Sequence, residues 1–200
     1  MLFIHHSSFI IHHSSFIIHH SSLVARLSKE DWLAEGFKLL SEFAQNKLRI
    51  ALLCDRLGVT RGSFYHHFES IDNYVAELMR AWEKQNTLDA IEAAQIGSSP
   101  LERMELLNQK VAKANQKVEA AIRSWSFYHP VVQAHLQRVD EIRLDFLVRI
   151  FEELGMEKDL AQKHAKLDYA VLIGMQQLYP DIKPKDMEAL WEVYRPEWSR

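Results

Sequence analysis

The chain is poor in residues that break or staple a fold. Its 200 residues include one cysteine, six glycines and five prolines. A single thiol, Cys54, excludes an internal disulfide framework and suits a reducing compartment, so a cytoplasmic location is expected. Scarce glycine and proline leave long uninterrupted stretches, which favour helices over a sheet. No apolar run approaches the roughly 18–20 residues needed to span a bilayer, and no membrane partner is expected. Strong charge of one sign is missing too. A formal net charge of −3 excludes a protein that coats nucleic acid with its whole surface, yet leaves room for a local basic face. HExxH, a phosphate-binding glycine loop, zinc-ligand spacing and carboxylate pairs tied to a histidine are all absent. Neither an enzyme nor a bound metal or cofactor is expected.

What is present begins with a repeat. Residues 9–15 and 16–22 are identical heptapeptides, Phe-Ile-Ile-His-His-Ser-Ser, and residues 3–8 are the same unit lacking one Ile. A signal peptide would need a basic start and an unbroken apolar stretch. Adjacent imidazoles could bind metal, and the doublets follow neither helical nor strand alternation. The unit is also what the seven-base sequence TTCATCA, repeated and read in triplets, encodes. Residues 1–22 are therefore expected to be disordered, either a translated DNA repeat or a segment upstream of the true start.

A helical head follows. Ser28 with Asp31 reads as a capping box with an acidic partner. The helix it opens is expected to bury Leu33, Phe37, Leu40 and Ala44, with Trp32, Leu39 and Phe43 widening the stripe. A second helix runs from about Ile50 to Leu57, with Ile50, Leu53 and Leu57 inward and Cys54 as a small packing residue. Gly58 supplies the turn, Val59 seals it, and Thr60 is a good N-cap for a third helix. Arg61, Gly62 and Ser63 fill its first turn, where free amides and the positive dipole end attract a phosphate. Gly62 costs about 1 kcal/mol relative to Ala in a helix, a cost offset where backbone must approach DNA. Leu53, Leu57, Phe64 and Phe68 form one seam, leaving Arg49, Arg56, Arg61, Tyr65 and His66 outward. Over residues 47–68, Lys47, Arg49, Arg56 and Arg61 face Asp55 alone, an excess of three positive charges. Ser70 caps a fourth helix that buries Ile71, Tyr74, Val75, Leu78 and Trp82 and links head to body.

Residues 57–68, Leu-Gly-Val-Thr-Arg-Gly-Ser-Phe-Tyr-His-His-Phe, preceded by Leu48 and Leu53, resemble the signature of TetR-family transcriptional regulators. The likeness covers about residues 27–82 and is densest over residues 53–68. It implies an all-α fold: a DNA-binding head over residues 24–84 with its helix-turn-helix at 50–68, and a ligand-binding and dimerisation body over residues 87–200. The implied activity is that of a ligand-responsive repressor, a homodimer on a pseudo-palindromic double-stranded DNA operator, released by a small-molecule effector. An activator or a ligand-independent regulator would share the signature, and a helical adaptor with weak DNA binding remains open. By motif position, Thr60, Arg61, Gly62 and Ser63 fall where family members meet bases and phosphates. Tyr65 and His67 match positions that commonly touch the phosphate backbone, with His66 between them. Two departures shift weight to Arg49. It stands where the family often has a capping Thr, and Ile71 and Asp72 stand where a Lys usually opens the fourth helix.

The body reads as longer helices. Residues 96–100 break the chain, and Ser99, Pro100 and Glu102 combine an N-cap, a proline at the first position and a capping-box acid. A helical run follows to about Phe127, broken somewhere inside, and Tyr128-His129-Pro130 stops it and restarts the next. Val139, Ile142, Phe146, Ile150 and Leu154 then hold a three-four spacing that Gly155 ends. A last long helix places Leu160, His164, Leu167, Val171, Met175 and Leu178 on one side, and Gly174 would permit close approach. These helices, near residues 139–155 and 158–178, either build a four-helix dimer interface or close the monomer's own core. Trp125, Phe127, Tyr128 and His129, with Tyr169 and Met175 nearby, are the candidate effector contacts, suited to an apolar or aromatic ligand. A short helix starting at Pro184 closes the reading.

Overall fold

Ser28 opens the structure as its capping box predicts. The hydroxyl accepts from the Asp31 amide at 3.3 Å, and the Asp31 carboxylate accepts from the Ser28 amide at 2.7 Å. The Ser28 amide, chiefly, and the Ser28 hydroxyl, which also donates to the Asp31 carboxylate at 3.0 Å, hold that carboxyl below the usual carboxylate range. This is a computed structural model, and it describes residues 27–194; the repeat at residues 1–22 and its expected disorder lie outside the described residues.

Helix α1 (Lys29–Phe43) buries Trp32, Gly36, Leu39 and Leu40. Leu33, Phe37 and Ala44 are only partly buried and Phe43 is exposed, so the core stripe is rotated from the expected one. Gly36 explains the rotation. A Cβ there would sit 2.1 Å from the Tyr74 hydroxyl, which reaches past it to donate to the Trp32 carbonyl at 2.8 Å. The missing side chain thus becomes the centre of a helix crossing. A 3₁₀ turn (Ala44–Lys47) leads into α2 (Ile50–Leu57), which buries Leu53 and Cys54. Gly58 then takes a left-handed φ of 67°, and the amides of Gly58 and Val59 return to α2 carbonyls. Helix α3 is short (Arg61–His67) and buries Phe64. Phe64 and Phe68 join Trp32 and Tyr74 in an aromatic cluster, with Trp32–Phe64 centroids at 5.5 Å and Phe68–Tyr74 at 4.9 Å.

Helix α4 (Ile71–Glu83) is capped by the Ser70 hydroxyl, which accepts from the Asn73 amide at 3.0 Å. It does not end at the expected join between head and body. A π turn (Lys84–Leu88) carries it straight into α5 (Asp89–Ala94), every junction residue staying helical. Residues 84–87 therefore lie inside one rod that runs from head to body.

The body continues with α6 (Pro100–Lys113), α7 (Gln116–Trp125), α8 (Pro130–Glu153), α9 (Lys158–Leu178) and α10 (Pro184–Tyr194). The Ser99 hydroxyl caps α6, while the Glu102 carboxylate reaches one residue further back, to the Ser98 amide. Asn115 makes the internal break by capping α7. Helix α8 starts at Pro130, at the expected restart, and its N-terminal half, before the Val139 stripe, packs against α4. Val132, Leu136 and Val139 share one core with the head. Its C-terminal half packs on α9 through Phe146, Ile150, Phe151, Ala161 and Ala165. The single stripe expected on α9 is split: Met175 is buried, whereas Leu160, Leu167 and Leu178 face outward. Among the described residues there is no strand, and no helix is long and apolar enough to cross a membrane.

Candidate DNA-reading head and ligand cavity

The turn at Gly58 sets α3 against α2 so that its first turn is left uncovered. Thr60, Arg61, Gly62, Tyr65 and His66 are exposed, and Ser63 and His67 are half-buried. Thr60 has the extended backbone of an N-cap, but its hydroxyl makes no capping bond. The Ser63 amide goes to the Thr60 carbonyl instead, at 3.0 Å. Arg49, at the N-cap of α2, is likewise exposed and makes no capping bond. Neither Arg49 nor Arg61 forms an ion pair among the described residues.

Arg56 differs from the expectation. Its guanidinium donates to Glu35 at 2.8 Å and to Glu42 at 2.5 Å, clamping α2 to α1. Glu35, chiefly, and Glu42 hold its pKa up. The outward cations of this surface are then Lys47, Arg49 and Arg61. Glu35 and Glu42 lie on another helix, so residue spacing around Arg56 carried no sign of them. Asp72, the other unfavourable substitution for a phosphate partner, lies 3.9 Å from His129 Nε2 of the body.

The body holds a cavity of about 240 Å³ between the π turn, α6, α8, α9 and α10. Ala90, Ile91, Leu107, Val111, Phe146, Leu147, Leu172 and Trp191 give it apolar walls, and Thr87 belongs to the π turn itself. Its polar end is a buried network. Arg143 pairs with Glu119 at 3.1 Å, donates to Thr87 Oγ1 at 3.0 Å and the Asn86 carbonyl at 3.2 Å, and lies over the Trp82 ring. Burial alone would lower the Arg143 pKa, but Glu119 and Tyr169 keep it raised. Trp82 Nε1 donates to the other Glu119 oxygen at 2.7 Å. The Tyr169 hydroxyl donates to Asp140 at 2.6 Å, and Asp140 is held bidentately by Arg123. The network ties the rod to α7, α8 and α9. Asp168, one residue from Tyr169, has its carboxyl pushed up to about 6 by burial, partly countered by a hydrogen bond from Tyr194.

Of the expected effector contacts, only Tyr169 lines this cavity. Met175 lies in the adjoining core with Ala112, Met187 and Trp191. Trp125 packs into the head-facing core and against His129, with centroids 5.1 Å apart. Phe127 and Tyr128, 79% and 83% exposed, stand on the α7–α8 turn facing solvent. None of these four lines the cavity. Sequence reasoning missed Glu119, Arg143, Asp168 and Gln176, polar residues on inward helix faces. That misfit, a charge on the buried side of an amphipathic helix, was the available signal.

A helix-turn-helix head on a helical body enclosing a cavity is the build of a DNA-binding transcriptional regulator. Residues 33–78 match the family model for bacterial regulatory proteins of the tetR family. No curated protein matches the chain. Solved structures share the fold: a transcriptional regulator from Rhodococcus sp. Rha1 is 18% identical, with a TM-score of 0.71 over 84% of this chain and 93% of that one. A TetR-family regulator from Agrobacterium tumefaciens, also 18% identical, has a TM-score of 0.71 over 86% of this chain and 96% of its own. A TetR transcription regulator from Haloarcula marismortui is 15% identical, with a TM-score of 0.69 over 86% and 95%. The head therefore matches the tetR family of bacterial regulatory proteins, and the chain shares its fold with TetR-family transcriptional regulators.

Proposed function

We propose that the protein is a ligand-responsive repressor that covers a pseudo-palindromic operator as a homodimer. The observation that carries this reading is the uncovered first turn of α3, with Arg61 and Gly62 exposed and Arg49 beside them making no ion pair among the described residues. On DNA, Thr60, Arg61, Gly62 and Ser63 enter the major groove, while Arg49, Tyr65, His66 and His67 meet the flanking phosphates. Base contacts specify and phosphate contacts position. Residues 24–84 act as the head and 87–200 as the body.

One seven-residue helix touches too few base pairs to select a site alone. Two heads about 34–36 Å apart would read successive major grooves. The outward leucines of α9 support pairing: Leu160, Leu167 (63% exposed) and Leu178 lie on the side where Gly174 has open space. Paired with α8, this face offers a four-helix contact between copies. The effector would occupy the cavity, whose wall is the π turn of the rod that begins in the head. An effector shifts the balance only by binding the form unable to hold DNA more tightly than the competent form.

Fluorescence anisotropy against the gene's own upstream DNA, over a salt series, tests the reading. The expected result is sequence-selective binding whose logarithm falls steeply with log salt, by about 0.9 for each phosphate neutralised. Equal affinity for operator and random duplex at low salt would overturn it.

A further inference from the structure

The cavity's polar groups differ in how far the fold already satisfies them. Arg143, the deepest cation, is engaged by Glu119, Thr87 Oγ1, the Asn86 carbonyl and the Tyr169 hydroxyl. An anionic ligand would have to break that set to reach it. Asp168 is in the opposite position. Its recorded partner is the Tyr194 phenol, and no cation comes within ion-pair distance of it among the described residues. Lys110 and Lys113 are exposed at the cavity's α6 side, and Asp89 across from them is paired with Lys84 at 2.8 Å. A second group is left over. Trp191 lines the cavity, and its buried Nε1 has no hydrogen-bond partner among the described residues. A buried N–H is normally met by an acceptor, so this indole offers a guest a hydrogen-bond donor. Trp191 and Tyr194 stand one turn apart on α10, ring centroids 5.7 Å apart, so one helix presents both the orphan donor and the phenol on Asp168.

We propose that the cavity binds a small amphiphilic amine, with a protonated nitrogen against Asp168, an apolar ring along Leu172 and Phe146, and an acceptor for the Trp191 indole. This rests on reading the cavity as the effector site. A cavity of about 150 Å³ accommodates benzene, so 240 Å³ suits one substituted ring. The ligand's ammonium would give Asp168 the ion-pair partner it lacks among the described residues, and the ligand's acceptor would take the indole N–H. The guest would tie α10 to α9 through both contacts.

Titration calorimetry on the full chain, with para-methoxyphenethylamine, its alcohol and para-methoxyphenylacetate as probes, tests the assignment without DNA. The amine is expected to bind about tenfold more tightly than either congener. Its affinity should rise from pH 5 to pH 7, as Asp168 gives up its proton near 6. Asp168→Asn should lose that preference while leaving the alcohol's affinity in place, and Trp191→Phe should weaken amine and alcohol together. Equal binding of the three probes, tighter binding of the acetate, or an unchanged preference in Asp168→Asn would overturn the ligand class while the cavity reading stood. No heat from any probe at millimolar concentration would overturn it as well. Amine binding that leaves operator affinity unchanged would support the ligand class and remove the effector reading instead.

Discussion

Arg61 and Arg49 are both uncovered cations, yet their places predict different losses. Arg61 opens α3, the helix proposed to read base edges, whereas Arg49 sits at the N-cap of α2. Arg61→Ala should cost about 1–3 kcal/mol of operator binding and narrow the gap to random duplex. Arg49→Ala should weaken both duplexes alike and flatten the salt slope by about 1 for each head. An Arg61→Ala protein that keeps its full sequence preference in anisotropy would remove that residue from base reading. Asp168 makes a prediction of another kind. Its folded pKa is raised from 3.8 to about 6 by burial, so between those values the folded form holds a proton the unfolded chain has released. Stability therefore falls as pH rises through this window, by on the order of 3 kcal/mol once both states are ionised. Asp168→Asn should melt higher than the parent above pH 6, with the gain vanishing below about pH 4. Equal melting temperatures at pH 7 would show that the carboxylate is not penalised.

Among the elements, the α1–α4 crossing is the tightest joint in the head. Gly36→Ala would place a methyl on the Tyr74 hydroxyl, 2.1 Å away, and break its bond to the Trp32 carbonyl. A loss of about 1–3 kcal/mol is expected, read as a lower urea midpoint. An unchanged midpoint would mean that Tyr74 is not held by that bond. The elements also show what was legible in the residues. The caps at Ser28, Ser70 and Ser99, the turn at Gly58 and the limits of α2 could be read in advance because each depends on a few neighbouring side chains. The face of α1 could not, because Gly36 gains its meaning from a tyrosine 38 positions away. The reading head was legible for the same local reason as the caps, except Arg56, whose acids lie on another helix. The cavity was not. Aromatic content drew attention to residues 125–129, but whether a ring faces a cavity or solvent depends on how α7 turns into α8.

For the whole molecule, the proposed pairing makes the sharpest prediction. Leu167→Glu puts a charge in the middle of the outward leucine row of α9 without touching the monomer's core. Sedimentation should then show monomers that melt like the parent and bind operator far more weakly. A variant that stays dimeric would place the contact elsewhere. The rod between head and body has a further consequence. A π turn is an α-helix with one residue too many, and in mechanical terms it is a dislocation. Such a defect cannot be annealed without shortening the chain; it can only glide. Here Arg143 fastens it at the Asn86 carbonyl, at its central residue, and at the Thr87 hydroxyl, one residue further on. Gliding toward the head would disturb the packing of Trp82, and gliding toward the body would disturb Ala90 and Ala94. The pinned defect fixes the angular phase between the buried faces of α4 and α5, much as a keyed shaft fixes two gears.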